Sequence, residues 1–255
     1  KSLYLGLAAV SFAAVAGTSV NASAKTYAKL SAPSTVLTTA ANTRNVNLTG
    51  TNAIYSKPGT VKGAKVVATT TTAKRLAASK NGSDNFRAYR VVTTNRGSVY
   101  YKVVSFDGQY RGWVYGGKSA TAFGGGVESY STTTDPAATT DTTSSASSAS
   151  SATSTSTSNQ TNGLTADQKA ATYKIASVGT SNDGTEVTYT YPAWTQYKKG
   201  RVITDSTPYK DATFKVTDQT TRTREGDLWV KIEATDAANS KANGWILYSG
   251  LKQAT

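Results

Sequence analysis

Cysteine, histidine and methionine are absent from the 255 residues, and only five prolines occur. Without thiols the chain forms no disulfide. Without thiol or imidazole it also loses the commonest nucleophile and base pairs, the usual zinc ligands and the ordinary pH switch near neutrality. Most hydrolase chemistry is thereby excluded. A chain free of thiols fits a secreted protein of an organism that does not rely on disulfides at its surface. Acidic residues are scarce in one half: residues 25–126 hold fifteen Lys and Arg against Asp84 and Asp107, a net of +13. Residues 127–255 hold twelve basic and thirteen acidic residues and are close to neutral. From residue 131 to 162 there is no aliphatic side chain larger than alanine and no aromatic. Such a segment cannot bury a core and is expected to be disordered.

What is present begins with Lys1 and the apolar run "LYLGLAAVSFAAVAG", which ends at "NASA". Its length and its small-residue exit predict a signal peptide over 1–24, cut after Ala24. No second apolar run of membrane length follows, and "LYSGLKQAT" has neither a hydrophobic tail nor a sortase-type motif. Retention on a surface is therefore expected to be non-covalent. Composition divides the remainder into 25–130, a basic β repeat; 131–163, a disordered Ser/Thr/Ala linker; and 164–255, a second β repeat near neutrality. As a flexible coil the linker spans on the order of 30 Å and would let its flanks work independently.

Both flanks read as short strands. "RAYRVVTT", "GSVYYKVVSF" and "RGWVYGG" are Val- and Tyr-rich and broken by turn signals, and "FKVTDQT", "GDLWVKIEAT" and "NGWILYSG" repeat the order. The alignment sets Gly97 to Val103 beside Gly226 to Ile232, and Gly112-Trp113-Val114 beside Gly244-Trp245-Ile246. Upstream, "NAIYSKPG" at 52–59 sits at a distance from its repeat's end comparable to that of "PAWTQYKKG" at 192–200. The fold expected is all-β: two small SH3-like barrel repeats. In such a barrel the glycine would permit a bend or a positive φ, and the indole would close one end of the core. The tyrosines of the first repeat are too numerous to point inward together. Beside the arginines and lysines they would suit a polysaccharide bearing phosphate or carboxylate groups, the aromatic faces stacking on sugar rings and the guanidiniums taking the anions. The expected polymer-binding residues are Arg87, Tyr89, Arg90, Arg96, Tyr100, Tyr101, Lys102, Tyr110, Arg111, Trp113, Tyr115 and Lys118. What differs between the repeats is the better guide to binding: Tyr110 and Arg111 precede the first Gly-Trp pair, Ala242 and Asn243 the second. No catalytic residue, metal ligand or cofactor is expected, and the secretion signal argues against nucleic acid as the polyanion.

"NVNLTGTNAIYSKPGTVKGAKVVA", "FRAYRVVTTNRGSVYYKVVSFDGQYRGWVYGGKS" and "TRTREGDLWVKIEAT…GWILYSG", with the leader, resemble the N-terminal region of surface-layer (S-layer) proteins of lactobacilli, closest to the Lactobacillus brevis type. The resemblance is specific over residues 1–130 and weaker but ordered over 190–252. It implies a secreted, structural protein of the cell wall and cell surface. Its basic repeats would hold a cell-wall polymer, either teichoic acid or a neutral or secondary wall polysaccharide, while a further C-terminal part assembles copies of the chain into a lattice. The chain departs from that pattern in a longer Ser/Thr linker and in ending soon after the second repeat. Two other readings use the same modules: the wall-targeting part of a peptidoglycan hydrolase, and an adhesin for host glycans or matrix.

Overall fold

The computed structural model describes residues 26–139 and 160–254. The expected signal peptide and the middle of the Ser/Thr-rich segment lie outside the described residues. The chain is mostly β and consists of two repeated units with curled sheets. The first contains β1 (Thr35–Val36), β2 (Asn45–Leu48), β3 (Ile54–Tyr55), β4 (Val66–Ala68), β5 (Phe86–Thr93), β6 (Val99–Ser105), β7 (Arg111–Tyr115) and β8 (Val127–Ser129). Its sheet runs β4-β3-β7-β6-β5-β2-β8, with β1 also on β5. The second contains β9 (Thr133–Thr134), β10 (Tyr173–Ile175), β11 (Phe214–Arg222), β12 (Leu228–Ala234), β13 (Gly244–Leu247) and β14 (Leu251–Gln253), in the order β13-β12-β11-β10-β14, with β9 on β11.

The aligned hairpins have the same pairing. Gly97 and Gly226 both take the left-handed conformation, at φ 70 and 75, and so turn β5 into β6 and β11 into β12. Each hairpin then carries a bulge at the same place, between Ala88 and Arg90 in the first and between Val216 and Asp218 in the second. A bulge sharpens twist and re-aims side chains, which is how a sheet this small curls over its own core. Inward-facing Phe86, Tyr101, Val103 and Val114 meet Val46, Leu48 and Ile54 in the first unit. Tyr173, Phe214, Trp229, Ile232 and Ile246 fill the second. Each such side chain contributes about 1.5–3 kcal/mol by leaving water.

One helix interrupts the first unit. In α1 (Thr70–Ala77), Thr69 accepts the Thr72 amide as N-cap, Lys74 and Arg75 sit in the last turn, and Ala73 and Leu76 are buried at i, i+3 spacing.

The Ser/Thr-rich segment differs from a tether at both ends. Strand β9 pairs with Thr221 and Arg222 of β11, so the chain has already joined the second sheet before residue 140. At the far end Ala137 bridges to Asn162, the Gly163 amide donates to the Ala137 carbonyl at 2.9 Å, and Thr139 Oγ1 donates to the Gly163 carbonyl at 2.6 Å. Thr139 and Gly163 therefore lie side by side on the second unit. The two units are not held apart by their linker.

Candidate functional site

Directly paired residues on neighbouring strands share a sheet face. The register sets Arg90, Lys102, Trp113 and Tyr55 in one row across β5, β6, β7 and β3, with Val92, Tyr100 and Tyr115 in the next. The bulge adds Tyr89 to the same outer face. Lys102 Nζ lies 5.9 Å from the Tyr89 ring centroid and 5.8 Å from that of Trp113. The Arg111 guanidinium lies 5.5 Å from the Tyr89 ring and donates to the hydroxyls of Tyr89 and Tyr197, both at 3.1 Å. The hydrogen bond with Tyr89, against the opposing effect of burial, raises the Arg111 pKa, so its charge is permanent. Among the described residues no Lys or Arg of the first repeat forms an ion pair; the three ion pairs found all lie in the second. Cations held over aromatic rings without carboxylates nearby form a surface whose field is not locally cancelled.

The second repeat builds the same row with other chemistry. Asp218, Lys231 and Trp245 stand where Arg90, Lys102 and Trp113 stand in the first. Lys231 Nζ turns to Glu233 at 3.3 Å, so Glu233 cancels the charge that the first repeat leaves open.

The Gly-Trp dipeptide differs from the expectation in both its members. Neither Gly112 nor Gly244 has a positive φ. A Cβ on Gly112 would lie 2.5 Å from the Tyr55 carbonyl oxygen and 2.6 Å from Ile54 Cγ2; on Gly244 it would lie 2.9 Å from the Tyr189 carbonyl oxygen. Glycine is needed so that a neighbouring strand can approach. Trp113 does not plug the core, because Val114 points inward and alternation turns the indole to the opposite face with Val92, Tyr100 and Tyr115. Trp245 does not keep the same setting either: it is half-buried, whereas Trp113 is 8% exposed.

The twelve expected residues separate into groups. Tyr89, Lys102, Arg111 and Tyr115 are at least partly exposed on the outer face. Tyr100 and Trp113 lie beneath them, buried, and Tyr101 faces the core; none of these three can lay a ring face on a polymer, since packing has taken both sides. Arg90 and Arg96 hold the N-terminal segment, donating to Ser34 Oγ and carbonyl (2.9 and 2.7 Å) and to the Thr26 carbonyl (2.9 Å). Lys118 donates to the Arg96 carbonyl at 3.1 Å and to Ser98 Oγ at 3.2 Å. Tyr110 packs half-buried against the core. Arg87 is buried, donating to Asn45 Oδ1 and Gln196 Oε1 at 3.0 Å; burial and then Arg44 lower its pKa, with Tyr197 opposing.

Gln196 belongs to the second repeat, and with it the structure shows what the sequence did not suggest: the repeats are docked. "PAWTQYKKG" is not the counterpart of "NAIYSKPG". That counterpart is Thr188-Tyr189, since Tyr189 bridges to Trp245 as Tyr55 pairs with Trp113. Residues 192–200 are instead a loop laid on the first repeat. Its Trp194 has φ 62, and its carbonyl accepts from Asn85 Nδ2 at 3.0 Å. Its Thr195 carbonyl accepts from Thr132 Oγ1 at 2.7 Å. Beside it the β11–β12 turn inserts Arg224, 5% exposed, which donates to Asn85 Oδ1 (2.6 Å), Asn47 Oδ1 (2.7 Å) and the carbonyls of Leu76 (3.2 Å) and Ser79, with Tyr130's ring 5.3 Å away. The only sequence signal was an arginine placed in a tight turn where solvent would be expected.

Glu225, next in the turn, accepts the Gly82 amide at 2.7 Å and pairs with Arg222 at 3.0 Å. Burial outweighs both and raises its pKa above the ordinary carboxyl value. A carboxyl whose folded pKa is raised penalises the folded state at neutral pH, and the penalty is relieved as pH falls through the folded value. Glu225→Gln keeps an acceptor for Gly82 without the charge. The stability of the wild type relative to this variant is expected to rise as pH is lowered from 7 toward the ordinary glutamate range; parallel denaturant titrations showing no trend would contradict it.

The GW (Gly-Tryp) dipeptide domain matches the chain twice, over residues 37–115 and 166–252. Among curated proteins none matches. A solved structure described as "Crystal structure putative autolysin from Listeria monocytogenes" is similar at 10% identity and a TM-score of 0.30, covering 89% of this chain and 66% of that one. The chain thus spans just under two thirds of that structure's length, and a likeness this weak carries no argument.

Proposed function

Since the chain belongs to the GW (Gly-Tryp) dipeptide domain family, whose matches cover most of it, we propose that it is a secreted surface protein held non-covalently on a Gram-positive cell wall, its first repeat gripping an anionic wall polymer. GW domains bind cell-wall components, and the observation that carries the reading is the outer face of β5 to β7. There Lys102 and Arg111 stand over Tyr89 and Trp113 with no carboxylate paired to them among the described residues. A polymer lying across the row would meet ammonium and guanidinium groups as phosphate or carboxylate partners, and the Tyr89 and Tyr115 rings between them. Each exposed contact is modest, about 1 kcal/mol or less; a repeating polymer adds them through many local encounters. The resemblance of residues 1–130 supports the narrower reading of a surface-layer protein. The occurrence of GW domains in autolysins supports a second, the wall-targeting part of a peptidoglycan hydrolase, and zymography on cell walls separates the two.

The test uses the intact chain and poly(glycerol phosphate) as the polyanion. Lys102→Ala is expected to weaken binding about fivefold, the equivalent of ~1 kcal/mol for one cation. Raising salt from about 50 to about 500 mM is expected to weaken the wild type by tenfold or more, because the Debye length falls below the spacing between charges. Calorimetry that finds the affinity unchanged by both would reject the proposal.

A further inference from the structure

Docking the repeats creates a cleft that neither has alone. It is an open cleft of about 680 Å³ between β2 and the 129–135 segment on one side and the 191–196 loop, β11 and Trp245 on the other. That volume lies within the range of small-molecule sites, about 300–1,000 Å³, which form preferentially at such domain junctions. Its lining is unlike the rest of the molecule. Although the chain carries a formal charge of +13, no Lys or Arg is among the described residues that line this cleft.

What lines it is aromatic, amide, hydroxyl and acidic. Tyr191 is 43% exposed, and Trp245 is the half-buried indole of the second Gly-Trp pair. Lys199 sits over the Tyr191 ring at 5.4 Å but does not itself line the cleft. Gln196 gives its carbonyl oxygen to Arg87, which leaves its amide nitrogen without a protein partner among the described residues. Asn42 and Gln219 add further amides. Asp135 and Asp218 have no cationic partner among the described residues, because Lys231, which stands beside Asp218 in the row, turns to Glu233. Amides and carboxylates together present donors and acceptors in the mixture that hydroxyl groups satisfy in both directions. Aromatic faces offer a flat apolar surface, negative at its centre, to the C–H face of a sugar ring. Two uncompensated carboxylates repel an anion.

We propose that this cleft is a second binding site, assembled by both repeats, for a saccharide segment that carries no anionic group. The division of labour is electrostatic: the outer face of the first repeat selects anions, and the cleft selects against them. It gives the second repeat, whose charge is close to neutral, a role of its own, and accounts for a Trp245 that stays partly exposed where Trp113 is covered. The proposal uses the wall-binding reading only for the source of the saccharide, and its test can fail with that reading intact.

The test is saturation-transfer NMR and calorimetry on the intact chain with four soluble probes: cellotetraose, chitotetraose, its de-N-acetylated amine form, and poly(glycerol phosphate). At least one of the first three is expected to bind, with an affinity that changes less than about twofold across the salt range that weakens the polyanion. Tyr191→Ala, at an exposed position that does not carry the fold, is expected to reduce that affinity about tenfold and to leave poly(glycerol phosphate) binding unchanged. Lys102→Ala is expected to do the opposite. Binding of the amine form alone would assign the carboxylates as the main determinants; binding of the acetylated or glucose probes would assign the amides and rings. If none of the three saccharides binds, or if Tyr191→Ala lowers polyanion affinity and not saccharide affinity, the cleft is not this site.

Discussion

Arg224→Ala is expected to separate the two repeats. The guanidinium is almost fully buried and satisfies two asparagine side chains and a set of backbone carbonyls at the end of α1, all in the first repeat. Removing it leaves Asn47 Oδ1, Asn85 Oδ1 and the Ser79 carbonyl facing a hole without the donor they had, while the Leu76 carbonyl keeps the Ser79 amide at 3.3 Å. Each buried acceptor so orphaned costs about 1–3 kcal/mol, and losing one partner from a buried charged network typically costs about 3–5 kcal/mol. Burial already lowers the Arg224 pKa, with Tyr130 and Asp84 opposing. The charge is thus held at a cost that its partners offset, and the docked arrangement depends on those partners. The expected result is that a single cooperative unfolding transition becomes two and that the scattering radius grows as the units part. Arg224→Lys keeps the charge but not the planar fork of donors, and is expected to recover less than half of the loss. A variant that melts in one transition within about 1 kcal/mol of wild type would mean that the junction does not depend on Arg224.

Gly112→Ala is expected to be nearly as damaging, for a different reason. The added Cβ would meet the Tyr55 carbonyl oxygen at 2.5 Å and Ile54 Cγ2 at 2.6 Å. The first of these is main chain of β3 and cannot rotate away, so strand β3 must shift from β7 and drag Ile54 out of the core. Overpacking against backbone costs about 2–3 kcal/mol, or roughly 5–10 °C in melting temperature for a domain of this size. Gly244→Ala, with its nearest contact at 2.9 Å, is expected to cost less. Gly97→Ala is the control: it has open space and φ 70, and should lose only the ~1 kcal/mol of a left-handed conformation. If Gly97→Ala proves worse than Gly112→Ala, the dipeptide glycine serves conformation and not close approach.

These two results separate what the sequence displays from what it conceals. The duplicated hairpins were legible because their signals are local: a left-handed glycine in each turn, alternating Val and Tyr, and a Gly-Trp pair at the same spacing. The asymmetry of charge was legible too, and the paired rows Arg90-Lys102-Trp113 and Asp218-Lys231-Trp245 give it a place on the sheet. The docking was not legible, because "PAWTQYKKG" can be matched to "NAIYSKPG" by distance along the chain, and only the pairing of Tyr189 with Trp245 reveals the loop as an insertion. Nor does any local pattern announce that Arg224 is buried; a turn arginine reads as solvated until another unit supplies the acceptors at Asn47, Leu76, Ser79 and Asn85. Tyr100 and Tyr101 show the same limit. A run of tyrosines implied that some would be exposed, but both are covered, one on each face of β6. The helix α1 was missed because its threonine-rich start reads as strand or loop until Thr69 is seen to cap it.

The central claim is that the first repeat's cation and aromatic face holds an anionic polymer of the wall. Co-sedimentation of the intact protein with purified Gram-positive cell walls tests it most directly, comparing wild type with Lys102→Glu, and untreated walls with walls stripped of anionic polymer. Lys102 forms no ion pair among the described residues and lies on the outer face, so its reversal is expected to leave the core and the junction intact. The account predicts that wild type pellets with untreated walls at low salt, that Lys102→Glu pellets far less, and that stripping the walls brings the two to the same low level. Equal sedimentation of the two proteins on untreated walls, or wild-type binding undiminished by stripping, would contradict it.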